Sequence, residues 1–400
     1  MENENSKIKK LFPLKLLQAP PENKGKGLSE TEIIQKKAEI TMLLKEYGII
    51  VNDIVVKEGP SSCLFRITNP YTTRVSAIEK LISNPPKSFI IDFVRVTANL
   101  RNGIINIEFP NEHLERVSMR GALESEDYLN SDYELPCVIG KSYDGYFAFD
   151  LTQMPHILMG GAIAQGKTTC LNAIITSLLY SKLPSELKFV LIDPKKVEFG
   201  AYNLISDMYF QKLPGVEPFV QTETYEIVNA LNALCDEMDA RFTQLKELDC
   251  KNITEYNEKI KSGVLSIDDK NGILPYIVVI IDEFADLIFT AGAEFERPVV
   301  LLAQLARDVG IHLVISTQRP SPSVITGFIK ANFPTRIAFR VICSTDSRTI
   351  LDFDGANDII NLGEMLFSDG NELFCIQGVN IKEAEVKAVV EYFYDQSNLI

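Results

Sequence analysis

The chain has 400 residues, of which 46% are hydrophobic and 24% are charged, and its formal net charge is −14. This composition is ordinary for a globular protein of roughly two to three domains. The acidic charge argues against nucleic-acid binding through overall charge, although a local basic surface is compatible with it. No apolar run approaches the roughly 18 to 20 residues of a membrane helix, and the start of the chain lacks a signal peptide, so we expect no membrane segment.

The seven cysteines are scattered along the chain without a CxxC pair, and the chain has only three histidines. This spacing predicts reduced thiols packed in cores rather than disulfides or a zinc site. We therefore expect a cytoplasmic protein.

The first part of the chain is predicted to be a tail followed by a helix. Residues 1–28 are polar and rich in proline and glycine, which predicts a flexible N-terminal tail. Ser29 and Glu32 have the spacing of a capping box, and Gly48 is placed to end the helix that they begin. The pattern predicts a helix over 29–48.

Short β-like runs follow this helix up to about residue 115. Between them we expect a helix over 75–84 and a hairpin turn at 101–103. Residues 116–134 are rich in charge and are expected to be a connector. Together these elements predict a small α+β domain, with its connector, over 29–134.

From residue 135 the pattern changes to short apolar runs that alternate with helical patterns. The predicted strands are 156–160, 187–193, 276–282, 311–317 and 335–341, and the predicted helices are 167–181, 223–248 and 294–309. Continuous apolar strands that alternate with helices are typical of a buried, mostly parallel sheet with helices on both faces. The predicted fold class of residues 135–400 is therefore α/β with a mostly parallel sheet.

A glycine-opened loop follows the first of these strands and precedes a helix, and it matches the pattern GxxxxGK[ST]. In such a loop, backbone N–H groups and the helix N-terminus converge on phosphate oxygens. Lys167 would bring a charge to the outer phosphates of ATP, and Thr168 would offer a hydroxyl to Mg²⁺. The predicted nucleotide-binding residues are Gly161, Ala162, Ile163, Ala164, Gln165, Gly166, Lys167, Thr168 and Thr169.

Ala164 makes this loop unusual. If its position needs a positive φ, the β-carbon of alanine strains the phosphate cradle. The alternative of a nucleotide-binding but weakly hydrolysing scaffold therefore stays open.

An acidic pair follows the strand at 276–282. Asp282 would hold the magnesium shell, and Glu283 would polarise a water for attack on the γ-phosphate. Alone, the pair could equally cap a helix, but together with the phosphate loop it predicts an ATPase. Gln318 follows another strand and could sense the γ-phosphate or position the water, or it could be a structural strand-end residue.

Basic residues offer further candidates. Motors that hydrolyse ATP between subunits often need an arginine in trans, and the candidates are Arg297, Arg307, Arg319 and Arg348, of which Arg307 is taken as a catalytic candidate. The turn from Asp193 to Lys196 could support the magnesium site and face a phosphate backbone, or it could be a solvated turn.

Several stretches of the chain resemble the motor portion of FtsK/SpoIIIE-type bacterial DNA translocases. They include "MPHILMGG", "LIDPKKVEF", "PYIVVIIDEFADLI", "LAQLARDVGIHLVISTQRPSPSVITGFIKANFPTRIAFRV" and "DSRTILDFDGA". The resemblance extends from about residue 30 to 395, and its most specific part is 276–351.

The resemblance implies a RecA-like P-loop ATPase domain over 135–400 beside the small domain, with ATP and Mg²⁺ as cofactors. It also implies a homo-oligomer, a hexameric ring around double-stranded DNA. Arg319, Lys330 and Arg336 lie in a stretch that resembles a pore-facing segment, so they are candidates for DNA phosphate contact. A conjugation or secretion coupling ATPase, which shares the RecA-like core, is the alternative from another class.

Overall fold

A computed structural model describes residues 10–21, 27–68, 76–77, 80–81, 86–87, 95–99, 104–266, 272–370 and 372–397. The predicted turn at 101–103 lies outside these residues, and the predicted helix over 75–84 lies partly outside them. Two sheets organise the chain: a four-stranded sheet in the first part and a nine-stranded sheet in the second.

The small domain is α+β, as expected. Its elements are α1 (Glu30–Glu46), β1 (Asp53–Glu58), β2 (Ser62–Thr68), β3 (Arg95–Asn99) and β4 (Ile104–Pro110), and the strands form an antiparallel sheet in the order β1-β2-β4-β3. Ser29 and Glu32 form the predicted capping box at the start of α1. Ile40 and Leu44 of α1 are fully buried in the core of this domain, so the helix packs on the sheet.

The segment expected to be a charged connector contains two short helices, α2 (Met119–Leu123) and α3 (Glu126–Leu129). Met119, Leu123 and Tyr128 are fully buried in the core of the large domain. The Tyr128 hydroxyl donates to the main-chain oxygen of Ser177 at 2.6 Å. The charged residues of the segment hid this apolar side, so the predicted charged connector also packs on the large domain.

Part of the predicted flexible tail is also packed. Phe12 and Leu17 are 3% and 2% exposed. The ring of Phe12 lies edge-on to Tyr180, with 5.0 Å between centroids, and close to Phe393. The amide of Leu11 donates to the main-chain oxygen of Tyr180 at 3.0 Å. Residues 10–21 are therefore held on the large domain by apolar burial that the polar composition of the whole segment concealed.

The large sheet contains β5 (Pro136–Ser142), β6 (Gly145–Asp150), β7 (His156–Gly160), β8 (Leu187–Ile192), β9 (Tyr276–Ile281), β10 (Ile311–Thr317), β11 (Thr335–Phe339), β12 (Glu364–Ser368) and β13 (Leu373–Gly378). The strand order is β6-β5-β13-β12-β11-β7-β10-β9-β8. Neighbours from β11 to β8 are parallel, and neighbours from β6 to β11 are antiparallel. The predicted strands form the parallel half, whereas the antiparallel half was not predicted, so the sheet is mixed rather than mostly parallel.

Helices cover both faces of the large sheet, as predicted. They are α4 (Lys167–Ser181), α5 (Ser206–Tyr209), α6 (Thr224–Glu247), α7 (Ile253–Lys261), α8 (Phe284–Ala291), α9 (Ala293–Leu305), α10 (Gly327–Asn332), α11 (Ser344–Leu351) and α12 (Glu383–Ser397). Residues of α4 and α12 share one buried core, and residues of α6, α8 and α9 share the core on the other face. Among the helices of the described residues, none is both long and apolar enough to cross a membrane.

This topology brings four loops to one edge of the sheet. The strands β7, β10, β9 and β8 are adjacent and parallel. Their carboxyl ends therefore meet at a single edge, which is where α/β sheets bind ligands. The phosphate loop, Gln318, the acidic pair and the turn that begins at Asp193 all follow these strands.

Candidate nucleotide-binding site

The phosphate loop joins β7 to α4 and depends on its glycines. Gly161 has a φ of 159° and Gly166, the N-cap of α4, has a φ of 115°. A β-carbon on Gly161 would lie 2.7 Å from Cβ of Phe339, and one on Gly166 would lie 3.0 Å from Cε1 of the same ring. Because Phe339 packs against both ends of the loop, only glycine fits at these positions.

Lys167 lies inside this loop and is 4% exposed. Its ammonium donates to the main-chain oxygens of Gly161 and Ala162 at 2.7 and 2.6 Å. Burial lowers the pKa of Lys167 to about 8, and the nearby carboxylates of Glu283 and Asp282 oppose that shift. The lysine is therefore mostly charged at neutral pH and lies where a bound phosphate would compete for it.

The tip of the loop is exposed. Ile163 is 73% exposed at its tip, and the Gln165 amide donates back to the Ile163 oxygen at 3.4 Å. The amide of Ala162 donates to the main-chain oxygen of Arg340 at 2.8 Å. Thr169 is half-buried in the first turn of α4.

Ala164 has a φ of 58°. This value lies in the left-handed region, which an alanine adopts at a cost of roughly 1 to 2 kcal/mol. The condition that made Ala164 a concern in the sequence is therefore met: the loop carries strain at this position.

Asp282 follows β9 and is 2% exposed. Its Oδ1 accepts from the Ser316 hydroxyl at 3.2 Å. Burial raises the pKa of Asp282 to about 6, and the neighbouring carboxylates, first Glu198 and Asp193, contribute to the same shift. Negative charge thus accumulates at this point, which favours a bound cation.

Glu283 has a φ of 52° and a ψ of 63°, a left-handed conformation at the N-cap of α8. Its side chain is 1% exposed. Oε1 accepts from the Thr317 hydroxyl at 3.1 Å and from the amide of Gln318 at 3.2 Å, while Oε2 lies 2.9 Å from Nζ of Lys195. A strained backbone and fixed partners on both carboxylate oxygens hold this acid in one orientation.

The turn after β8 is built on Asp193. The Oδ2 atom of Asp193 accepts from the amides of Val197 and Glu198 at 2.9 and 2.8 Å. This carboxylate therefore organises the turn, and the turn delivers Lys195 to the site. Lys196 points away from it, since it forms an ion pair with Glu223 at the surface.

Glu198 is a site residue that the sequence analysis missed. Its carboxylate lies close to the Thr168 side chain and to Asp193. Burial raises the pKa of Glu198, and the Thr168 side chain opposes the shift. It lies several residues beyond the end of a strand, so no strand-end rule identified it.

The oxygen atoms that lie together here are suitable ligands for Mg²⁺. The Thr168 hydroxyl and the carboxylates of Asp282 and Glu198 are hard oxygen ligands, which is the chemistry that Mg²⁺ prefers. These residues would hold the ion beside Lys167, where it would neutralise charge on the nucleotide phosphates.

The structure separates the other basic candidates. Arg307 is exposed and lies near His156 and His312, at the amino ends of β7 and β10 and thus at the sheet edge opposite the phosphate loop. It does not join the site of its own chain, which leaves a role only at the site of a neighbouring copy. Arg348 forms an exposed ion pair with Asp354. Arg297 lines a surface groove beside α6.

The three DNA-contact candidates also differ. Lys330 and Arg336 both form ion pairs with Asp352. Burial alone would raise the pKa of the Asp352 carboxyl, but these two cations outweigh it and the pKa is lowered. Their charge is partly neutralised, which weakens the expectation that they contact DNA. Arg319 is exposed at the edge of the sheet that carries the phosphate loop, and lines a groove with Lys196.

The chain is similar to known proteins along nearly its whole length. A model of the FtsK/SpoIIIE family matches residues 118–322, and a model of the FtsK alpha domain matches residues 11–111. A DNA translocase FtsK of Chlorobaculum tepidum is 38% identical over 399 residues, which cover 98% of this chain and 48% of the relative. A DNA translocase FtsK of Rickettsia typhi is 35% identical over 417 residues, covering 98% of this chain and 55% of the relative. The chain spans about half the length of these relatives.

A solved structure gives the same fold. The pCW3 conjugation coupling protein TcpA, in its monomer form with ATPγS, superposes with a TM-score of 0.59 at 23% sequence identity, covering 90% of this chain and 99% of that one. At this identity the likeness concerns the fold alone. Together with the family match, it confirms the predicted α/β P-loop ATPase fold with a small domain before it.

Proposed function

Because the chain belongs to the FtsK/SpoIIIE family, we propose that it is an ATP-driven translocase of double-stranded DNA. One observation carries the ATPase part of the proposal: the loop with Lys167, the acids Asp282 and Glu283, and Gln318 follow adjacent parallel strands and converge on one edge of the sheet. The DNA part is supported by the relatives that are named DNA translocases.

Each residue has a role in hydrolysis that follows from its position. Lys167 would exchange the main-chain oxygens that it now contacts for the outer phosphates of ATP. Glu283 would orient and polarise a water for in-line attack on the γ-phosphate, and its fixed orientation would lower the cost of doing so. Gln318, bonded to Glu283 through its backbone amide, would report the presence of that phosphate to the loop that follows β10.

Movement of DNA would come from the segment after Gln318. Arg319 is exposed next to the site, so a change at the γ-phosphate would reach it over one peptide bond. Its contact with a DNA phosphate would carry no sequence information. The proposed assembly is a hexameric ring around the duplex, with Arg307 of one copy directed at the site of the next. The process served would be chromosome segregation at cell division or a related transfer of DNA.

ATP hydrolysis measured with duplex DNA, with single-stranded DNA and without DNA tests this proposal. We expect duplex DNA to stimulate hydrolysis most strongly. Glu283→Gln should retain ATP binding but lose at least roughly 100-fold in kcat, whereas Glu294→Gln, at the exposed start of α9, should keep it. If duplex DNA did not change the rate of ATP hydrolysis by an oligomeric preparation, that result would contradict DNA translocation. A preference for single strands would favour a coupling ATPase instead.

The left-handed Ala164 supports a second candidate, a nucleotide-binding scaffold that hydrolyses ATP weakly. Strain in the cradle would then weaken the grip on the phosphates. The same hydrolysis assay separates the two, because ordinary turnover that is abolished by Glu283→Gln excludes the scaffold.

A further inference from the structure

A buried ion-pair cluster joins the small domain to the large sheet. Arg95 on β3 forms an ion pair with Glu108 on β4, and its Nη1 lies 2.9 Å from Oε1 of Glu364 on β12. These three side chains are at most 8% exposed. Buried charges are tolerated only when they are paired, and the loss of one partner leaves the other uncompensated. The cluster therefore ties the position of the small domain to that of β12.

Polar neighbours complete the cluster. Nη2 of Arg95 donates to Sγ of Cys375 at 2.8 Å, and that thiol donates to Oε1 of Glu364 at 3.2 Å. The Tyr143 hydroxyl donates to Oε2 of Glu108 at 2.7 Å. The two carboxylates and the thiol are close enough to share a metal ion, but the guanidinium of Arg95 already supplies the positive charge. We refer to Arg95, Glu108 and Glu364 as the interdomain clamp.

One end of the interdomain clamp lies beside the phosphate loop. Glu364 directly follows Gly363, and a β-carbon on Gly166 would lie 3.1 Å from Cα of Gly363. The backbone of Gly363 thus packs against the last glycine of the loop. Gly363 has a φ of 78°, and its carbonyl accepts from the amide of Gly378 at 2.9 Å. The turn before β12 is held by β13 on one side and by Arg95, through Glu364, on the other.

We propose that Arg95 is a positioning residue for the nucleotide site. By holding Glu364 it seats Gly363 against Gly166, and so couples the docking of the small domain to the shape of the phosphate loop. This inference rests on the nucleotide binding in the proposed function and not on DNA translocation. Coupling between two sites is reciprocal, so a nucleotide at the loop must strengthen the interdomain clamp as much as the clamp strengthens nucleotide binding.

Two variants break the interdomain clamp from opposite domains. Arg95→Met removes the charge from the small domain and keeps much of the side-chain volume, while Glu364→Gln removes a charge from the large sheet. Arg66→Met is the matched control, because Arg66 on β2 bonds to Asn106 within the small sheet. With a fluorescent ATP analogue, we expect Kd to rise roughly 3- to 10-fold in both clamp variants and to stay unchanged in the control.

Hydrogen exchange separates coupling from a loss of stability. In the wild type, the analogue should slow exchange of the amides in β4, which is remote from the loop; in Arg95→Met this protection should disappear although the analogue is bound at saturation. The inference would be overturned if both clamp variants bound the analogue with wild-type affinity. It would also be overturned if the analogue did not slow hydrogen exchange in β4 of the wild type. A wild-type protein that does not bind the analogue would overturn the proposed function as well.

Discussion

The ammonium of Lys195 lies 2.9 Å from Oε2 of Glu283. The side chain of Glu283 is 1% exposed and that of Lys195 is 36% exposed, so a residue at the rim of the site neutralises the buried acid at its centre. The sequence left Lys195 undecided between a DNA contact and a solvated turn. The structure makes it the counter-ion of the residue that we expect to polarise water.

Lys195→Met should lower kcat roughly tenfold or more, with KM for ATP changed by less than about threefold, because Glu283 loses the partner that orients it. Steady-state ATP hydrolysis measures both constants. Lys196→Met is the control, since Lys196 pairs with Glu223 at the surface. Unchanged kcat in Lys195→Met would show that the ion pair has no part in hydrolysis.

Ala164→Gly should stabilise the folded protein. Glycine adopts the observed φ of 58° without strain, and because the folded loop already has this φ, relief of about 1 kcal/mol adds to the free energy of unfolding rather than to ATP affinity. Ala162→Gly is the comparison, because Ala162 does not have a positive φ and glycine there should lower the free energy of unfolding. Equal effects of the two substitutions in denaturant unfolding would refute strain at Ala164.

Glu198→Gln should raise the Mg²⁺ concentration needed for half-maximal hydrolysis several-fold. Glu198 lies close to Thr168 and adds negative charge beside Asp282, so its loss weakens the attraction for a divalent cation. A magnesium titration at saturating ATP measures the effect. Glu223→Gln, which removes an exposed carboxylate outside the cluster, should leave the titration unchanged; identical curves for wild type and Glu198→Gln would exclude Glu198 from the ion's surroundings.

The protein should lose stability as pH falls below about 6.5. Burial lowers the pKa of His156 to about 3 and of His312 to about 4, whereas in the unfolded chain both titrate near 6.5. Between these values the unfolded state binds more protons, so the free energy of unfolding decreases on acidification by up to about 1.4 kcal/mol per pH unit for each histidine.

His312→Phe tests this pH dependence. The ring of His312 stacks on Tyr276, so phenylalanine can keep that contact without titrating. The free energy of unfolding is measured with denaturant at pH 7 and pH 5. Its decrease between these pH values should be smaller in the variant, because unfolding of the variant takes up about one proton fewer. The same pH dependence in variant and wild type would mean that His312 does not titrate between the two states.

The parallel half of the large sheet was predictable because its strands are continuous apolar runs bounded by turns. β12 and β13 were not, since no helical pattern separates their short apolar runs and the expectation rested on strands that alternate with helices. The packing of Phe12 was likewise hidden, because its ring is buried against Tyr180 and Phe393, which are distant from it in the sequence.

For the candidate site, motif spacing predicted the loop and the acidic pair, because each must follow a strand to do its chemistry. It could not identify Glu198 or the partner of Glu283, since both depend on how the turn built on Asp193 folds. Nor could it show that Arg307 lies at the far edge of the sheet, which follows from strand direction. The φ of Ala164 depends on how the loop folds, so the sequence could not predict its sign.

Displacement of a third strand from a DNA triplex tests the central claim most directly, because it reports movement along the duplex rather than binding to it. The protein should displace the third strand when ATP is present, and Glu283→Gln should bind the duplex but leave the triplex intact. Steady ATP hydrolysis on duplex DNA without displacement, or displacement that does not need ATP, would contradict an ATP-driven translocase.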